Sequence, residues 1–205
     1  NKISGEIPES IGNLKQLKTL NIAFNTLEGN LPNTIGDLTS LESLELFMNK
    51  IEGSIPNTIG NLNHLKKIEI FSNKLSGDIP AEIGALVNLK ELSLSSNNLS
   101  GGIPKTVKNL ANLEKLSLYD NQLFGAIPSS LGNLEKLEEI MLSDNFLFGN
   151  VPSSIASLDN LKILMINNND LQGDFASLEK SLPNGVQFEF VNIGERKKAA
   201  LAGTD

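Results

Sequence analysis

Few side chains in this sequence are suited to chemistry. There is one histidine, His64, and no cysteine among the 205 residues. A zinc site needs several cysteine or histidine ligands, and an activated nucleophile needs a base held beside it. His64 lies in a predicted surface loop, where an ordinary exposed side chain is the simpler interpretation. We therefore expect no catalytic residue, no metal site and no cofactor, and we predict that the chain is not an enzyme.

Asp120 and Asp144 form a carboxylate pair separated by 24 residues. If that interval is one structural repeat, the two side chains stand about 5 Å apart on neighbouring strands. Such a pair would hold a cation or bind a lysine of a partner. The alternative is structural and is favoured, because Asp placed directly before Asn121 or Asn145 is well suited to starting a turn.

The interval of 24 residues runs through most of the chain. Asparagine recurs at this spacing eight times, and apolar positions recur with it. A fixed period of this length predicts a repeat solenoid, in which stacked units build a long regular surface. The recurring asparagines are Asn1, Asn25, Asn49, Asn73, Asn97, Asn121, Asn145 and Asn169.

One repeat contains a strand, a turn and a helical segment. Leu20 and Ile22 alternate with polar neighbours, which predicts a short strand that pairs in parallel with its equivalents. The amide of Asn25 is expected to bond the backbone groups that the following turn leaves unpaired. Gly29 suits a positive φ or a close approach. The segment 33–36, after Pro32, is predicted to form a short helical turn closed by a glycine cap at Gly36.

The charge composition of the chain restricts the classes of partner that we expect it to bind. The chain carries a formal net charge of −7, and Arg196 is its only arginine. Nucleic-acid binding needs a clustered basic face, so we expect no nucleic-acid partner. No apolar run approaches the length of a membrane span in the given residues.

The pattern LxxLxLxxNxLxGxIPxxIGxLxx resembles the plant-type leucine-rich repeat of receptor-like kinase ectodomains and polygalacturonase-inhibitor-like proteins. The resemblance covers about residues 1–175. It implies an α/β repeat fold, a right-handed solenoid with a concave parallel sheet, short 3-10 or helical turns on the convex side, and recognition of a partner on the concave face. The sequence departs from secreted members in lacking cysteine-paired caps, in having a single sequon at Asn98, and in lacking an Arg-x-Arg pair. The resemblance favours an extracellular or cell-surface location, while the missing cysteines and sparse sequons leave an intracellular or organellar one open.

The domain organisation follows from where the pattern begins and ends. We expect the solenoid over residues 1–175, starting in mid-repeat at Asn1, which indicates a piece of a longer chain or a partner over that end. A capping segment is expected over 176–194, with a final strand near residues 186–191. Residues 195–205 are expected to form a polar tail or linker.

Strand residues that point away from the core should form the concave face, in columns that follow the repeat. Exposed aromatic residues clustered on a rigid sheet are typical of a binding hot spot. The alternative is that they only pack against each other as cross-strand pairs. The predicted partner-binding residues are Phe24, Phe47, Met48, Phe71, Tyr119, Asp120, Met141 and Asp144.

A second aromatic cluster should lie on the flank of the solenoid. Phe124 and Phe148 occupy equivalent positions in adjacent repeats, so we expect them to stack, with Phe146 nearby. This cluster is either a lateral contact with another subunit or domain, or simple self-packing.

These observations favour a non-enzymatic module that binds a protein or peptide on its concave face, as part of a receptor-like protein. One alternative is a structural subunit of a larger assembly. Another, suggested only by the family resemblance, is an inhibitor of a secreted enzyme.

Overall fold

The computed structural model describes residues 2–190. The predicted first asparagine, Asn1, and the predicted tail, residues 195–205, lie outside the described residues. Within them, the chain forms successive coils, each with a strand in one continuous parallel sheet, a second extended segment on the flank, and a 3-10 helix on the opposite side.

The main sheet has eight parallel strands in sequential spatial order, and its register joins residues 24 apart, such as Leu44 to Ile68. The predicted parallel stacking is confirmed. The strands are β2 (Thr19–Asn21), β4 (Ser43–Glu45), β6 (Lys67–Glu69), β8 (Glu91–Ser93), β10 (Lys115–Ser117), β12 (Glu139–Met141), β14 (Ile163–Met165) and β16 (Gln187–Glu189).

The flank strands pair in three short parallel sheets, β1–β3, β5–β7–β9 and β11–β13–β15. Their register differs from that of the main sheet, because residues 22 apart are partners, as Glu52 is with Lys74. These strands are β1 (Ser4–Gly5), β3 (Thr26–Leu27), β5 (Glu52–Gly53), β7 (Lys74–Asp78), β9 (Asn98–Ser100), β11 (Phe124–Gly125), β13 (Phe146–Asn150) and β15 (Asp170–Gln172).

The convex side carries a row of 3-10 helices, and each begins directly after a proline whose ring fixes φ near the value this entry requires. They span Glu9–Asn13, Asn33–Asp37, Asn57–Asn61, Ala81–Ala85, Lys105–Asn109, Ser129–Asn133 and Ser153–Ser157.

The predicted glycine cap at Gly36 is wrong. Gly36 lies inside its 3-10 helix, which ends at Asp37 with Leu38 as the C-cap, and it is not among the glycines with positive φ. A Cβ added at Gly36 would meet the Cβ of Thr58 in the next coil at 2.6 Å. The glycine is needed because neighbouring coils approach closely on this side, whereas Gly29 does adopt the predicted positive φ of 74°.

Leucine and isoleucine fill the space between the main sheet and the convex helices. In one coil Leu41, Leu44, Leu46 and Ile51 are completely buried, and the same positions are buried along the solenoid. Full burial of each such side chain contributes about 1.5–3 kcal/mol. Since a coil is covered only by its neighbours, this stabilisation exists only in the stack.

The recurring asparagines join each coil to the one before it. Asn97 is buried, and its Oδ1 accepts from the backbone N–H of Leu75 at 3.0 Å. Its Nδ2 donates to the carbonyls of Ile70 and Leu94, both at 3.0 Å. The predicted bonding of backbone groups by this amide is confirmed. The carbonyls of Ile70 and Leu94 also accept from Asn73 and Asn121, so the asparagines of successive coils share acceptors along the solenoid.

The repeat gives way to a different ending after β15. Helix α1 (Phe175–Ser181) is capped by Asp174, whose carboxylate accepts from the backbone N–H of Ser177 at 3.0 Å. Hydrogen bonds from the Ser177 side chain and backbone lower the pKa of Asp174. Strand β16 then pairs with β14 within the predicted range 186–191, of which residue 191 lies outside the described residues. Phe188 and Phe190 stack beside it at a ring-centroid distance of 4.8 Å.

In the described part of the chain, residues 2–190, no helix combines the length and apolar character needed to cross a membrane.

The asparagine contacts give a direct stability prediction. Replacing Asn97 with alanine leaves the buried backbone N–H of Leu75 without the amide oxygen that it bonds, while the carbonyls of Ile70 and Leu94 keep the amides of Asn73 and Asn121. We therefore expect a loss of roughly 1–3 kcal/mol in the free energy of unfolding, measured by urea denaturation. The exposed neighbour Asn98 is a matched control, and Asn98→Ala should change stability by no more than about 0.5 kcal/mol. Equal effects of the two substitutions would contradict the proposed role of the buried amide.

Candidate functional site

Three phenylalanines on successive coils form a continuous row on the concave face. The rings of Phe47 and Phe71 are stacked, with centroids 4.6 Å apart and planes 9° apart. Phe24 meets Phe47 edge to face at 5.0 Å. The structure therefore brings together Phe24, Phe47 and Phe71 as expected, and we call them, with Met48, the aromatic row.

Two members of the aromatic row face solvent. Phe24 is 58% exposed and Met48 is 45% exposed, whereas Phe47 and Phe71 are partly buried by their neighbours. The leucine and isoleucine core is complete beneath the sheet without any of these four side chains. An exposed apolar patch of this kind on a rigid sheet marks an interaction surface more often than a structural requirement.

The residue before each recurring asparagine has a left-handed backbone conformation. Phe24 and Met48 both have φ of 54°, and Asp120 and Asp144 have φ of 56° and 55° at the equivalent position. Asn, Asp and Gly tolerate this conformation, whereas a bulky side chain incurs about 1–2 kcal/mol. The left-handed conformation is therefore a structural reason for aspartate at positions 120 and 144. At Phe24 and Met48 the same conformation strains the backbone.

The structure gives no support to a cation site at the carboxylate pair. Asp144 accepts a hydrogen bond from Nδ2 of Asn168 at 2.7 Å, and Asp120 is exposed. Within residues 2–190, no three or more side chains of the metal-binding types are grouped. His64 is exposed, as predicted.

A depression of about 280 Å³ lies on the concave face next to the aromatic row. Phe71 borders it on one side, and Tyr119, which is 38% exposed, lies two coils further on. The small side chains of Ser93 and Ser117 line it between them. Met141, a predicted binding residue, also lines this depression.

Charged side chains border the depression as well. Lys67 forms ion pairs with Glu69 at 3.0 Å and with Glu45 at 4.0 Å. Desolvation is the largest single influence on the pKa of Lys67 and lowers it, but the hydrogen bond to Glu69 and the nearby carboxylates together raise that pKa. Lys115 pairs with Glu139 at 3.0 Å, and this hydrogen bond, followed by the charge of Glu139, raises the pKa of Lys115.

Part of this surface was predicted from the sequence: Phe71, Tyr119 and Met141 line the depression, and so does Glu69, which was not predicted as a binding residue. Glu91 and Lys115 also line it and were not predicted. The alternation of Lys67, Glu91, Lys115 and Glu139 along one column of the repeat is the signal that identifies them. Asp120 and Asp144, by contrast, do not join the aromatic row, because their coils lie at least three strands from that of Met48.

The flank aromatics are present, but their predicted pairing needs correction. Strand register places Phe124 beside Phe146, whereas Phe148 is beside Asp170. The prediction that Phe124 and Phe148 are neighbours assumed that residues 24 apart pair with each other, whereas the flank strands pair residues 22 apart. All three rings are about half exposed.

Comparisons with known families agree with the repeat. A model described as a leucine-rich repeat region matches residues 1–101, and a leucine rich repeat model matches residues 87–147. The chain is a leucine-rich-repeat protein of the plant type. Ectodomains of this family are typically non-enzymatic. No curated protein sequence matches the chain.

Solved plant receptors share the fold. The plant peptide hormone receptor RGFR1, in complex with RGF2, is 32% identical with a TM-score of 0.89, over 93% of this chain and 30% of that one. The ectodomain of GASSHO1/SCHENGEN3 from Arabidopsis thaliana, in complex with CASPARIAN STRIP INTEGRITY FACTOR 2, is 45% identical with a TM-score of 0.82, over 83% and 20%. The Arabidopsis receptor kinase HAESA, in complex with the peptide hormone IDA and the co-receptor SERK1, is 38% identical with a TM-score of 0.82, over 84% and 29%. The leucine-rich-repeat chain thus spans less than a third of each of these receptor chains.

The left-handed conformation predicts an unusual response to a polar substitution. Met48→Asn should raise the free energy of unfolding by about 0.5–1 kcal/mol, because Asn adopts positive φ at lower cost than Met. Urea denaturation measures this change. Met141, at the end of strand β12, is the control: Met141→Asn should not stabilise the fold, because Asn is disfavoured in strands. If Met48→Asn destabilises as much as Met141→Asn does, the strain at Met48 is refuted.

Proposed function

We propose that this leucine-rich-repeat chain is a recognition module that binds an extended peptide, or a peptide-like segment of a protein, on its concave face. The aromatic row supplies the main apolar contact, and the module acts as part of a receptor-like protein. The bound segment runs along the solenoid, across the strands.

The strained, exposed apolar residues carry the proposal. At the position before the recurring asparagine, other coils have the small residue Ser, or Asp or Asn, which suit a positive φ. Phe24 and Met48 occupy it at a cost in stability and expose more than two fifths of their surface. Backbone strain held at an exposed apolar site is typical of functional residues.

The character of the row supports a binding role further. Phe47 and Phe71 are stacked and held on a hydrogen-bonded sheet, so little side-chain entropy remains to be lost on binding. Rigid aromatic anchors of this kind dominate the energetics of many interfaces.

The structural relatives support the peptide class. RGFR1 is a plant peptide hormone receptor in complex with RGF2, and HAESA is in complex with the peptide hormone IDA. Because this chain spans a minor part of those receptors, its own ligand is inferred from the aromatic row and not transferred from theirs.

A second function rests on the flank. Phe124, Phe146 and Phe148 are exposed on adjacent strands β11 and β13, which makes a lateral contact with another subunit or domain the alternative role. This reading corresponds to a structural part of a larger assembly.

The binding proposal predicts a localised loss of affinity. Peptides selected from a random display library on the immobilised chain should contain apolar or aromatic residues, and Phe47→Ala or Phe71→Ala should weaken a selected peptide about tenfold or more in fluorescence anisotropy. Circular dichroism establishes that each variant is folded.

Phe148→Ala is the matched control, because it removes an equally large exposed ring from the flank. Its affinity should equal that of the unmodified chain. The proposal fails if no peptide is selected, or if a selected peptide is bound equally well by the folded Phe47→Ala and Phe71→Ala variants. Loss of binding in Phe148→Ala alone would favour the lateral role.

A further inference from the structure

We propose that the depression between Phe71 and Tyr119 receives a basic side chain, Arg or Lys, of the bound segment, with Glu91 as its ion-pair partner. This inference rests on the proposed function and adds the chemistry of the ligand to it. Three features support it: the shape of the depression, the charges around the depression, and the distance between the depression and Met48.

The shape suits one side chain. In the column of the repeat that contains Phe47 and Phe71, Ser95 follows Phe71 and precedes Tyr119. Two strand spacings of about 4.8 Å therefore place Phe71 and Tyr119 about 10 Å apart, centre to centre, and the slot between their rings is narrower than this. The buried hydroxyls of Ser95 and Ser117, 2.7 Å apart, satisfy each other within this part of the sheet. A volume of about 280 Å³ is small for a whole ligand and sufficient for a single long side chain.

The charges favour a cation. The two columns that flank the slot contain four glutamates, at 45, 69, 91 and 139, and two lysines, at 67 and 115. Both lysines are engaged, since Lys67 contacts Glu69 and Lys115 contacts Glu139. Glu91 lines the depression between Lys67 and Lys115, its neighbours in the strand register, and its charge raises the pKa of both lysines. Among residues 2–190 it nevertheless forms no ion pair within 4.0 Å and no side-chain hydrogen bond, because both lysines are closer to other glutamates. An apolar ligand group would cover this carboxylate without supplying a hydrogen bond, whereas a cation would supply one.

The aromatic side chains that line the slot also favour a basic side chain. Phe47 stacks on one side of Phe71, while Phe71 also borders the slot, and Tyr119 lines it from the other coil. A guanidinium or ammonium group beside such rings gains a cation–π attraction in addition to its ion pair. The slot thus offers an aromatic surface and a carboxylate to the same side chain.

The distance from Met48 sets a spacing in the ligand. The coil of Met48 lies two strands from that of Ser95, which is about 10 Å. An extended segment advances about 3.3 Å per residue, so three residues cover this distance. The ligand should therefore carry an apolar residue for the aromatic row and a basic residue about three positions away.

Peptide selection with a charge variant tests this inference. Random display libraries are selected in parallel on the unmodified chain, on Glu91→Gln and on Glu52→Gln. The last variant makes the same charge change at an exposed flank position away from the slot. Glu91→Gln keeps the size of the side chain, and thermal unfolding verifies that each variant is folded.

On the unmodified chain and on Glu52→Gln, selected peptides should be enriched in Arg or Lys about three positions from an apolar residue. On Glu91→Gln the apolar enrichment should persist while the basic enrichment disappears. A synthesised peptide from the first selection should bind Glu91→Gln about tenfold more weakly. Added salt should weaken its binding to the unmodified chain more than to Glu91→Gln, because one ion pair is missing from the variant.

The outcomes separate the two proposals. Apolar enrichment without basic enrichment on the unmodified chain overturns the assignment of the slot and leaves the concave-face proposal standing. Basic enrichment that survives in Glu91→Gln also overturns it. If no peptide is enriched on any variant, both proposals fail.

Discussion

The buried asparagine amide is the constraint on which the rest of the structure depends. In each coil it bonds backbone atoms of its own turn and of the preceding coil, as Asn121 does through Leu118 and Leu94. The chain can reach this arrangement only by turning sharply after the strand, and the residue before the asparagine therefore takes a positive φ. The buried amide, the turn and the register of the main sheet therefore depend on one another. The side chains of the concave face are positioned by this arrangement.

The fold was predictable because its causes are periodic. Apolar spacing, the asparagine and the proline repeat together, so one coil determines the next, and the parallel sheet follows. The repeat period alone does not predict the local geometry within a coil. The flank pairs residues 22 apart and not 24, which moved Phe124 beside Phe146. Gly36 is required by the approach of Thr58 from the next coil, a contact that is invisible within its own repeat.

The candidate site was predictable in part for the same reason. Columns of the repeat placed Phe24, Phe47 and Phe71 together, and the structure stacks them. The sequence could not show that Phe24 and Met48 sit in a left-handed turn, because neither residue type suggests that conformation. Nor could it show that Lys67 and Lys115 form their close ion pairs with Glu69 and Glu139 and not with Glu91, since that depends on which way each long side chain turns. The information that distinguishes a supporting residue from a binding residue lies in these departures from local preference.

The three methionines of the chain allow the central claim, binding on the concave face, to be tested directly. Met48 belongs to the aromatic row, Met141 lines the depression, and Met165 lies at the end of β14 further along the same sheet. Carbon-13 labelling of the methionine methyl groups gives one NMR signal for each position during titration with a selected peptide. Binding on the concave face predicts a large shift for Met48, a shift for Met141, and a smaller one for Met165, which pairs with Met141 on the adjacent strand. Saturable binding that leaves the Met48 and Met141 signals unmoved would contradict it.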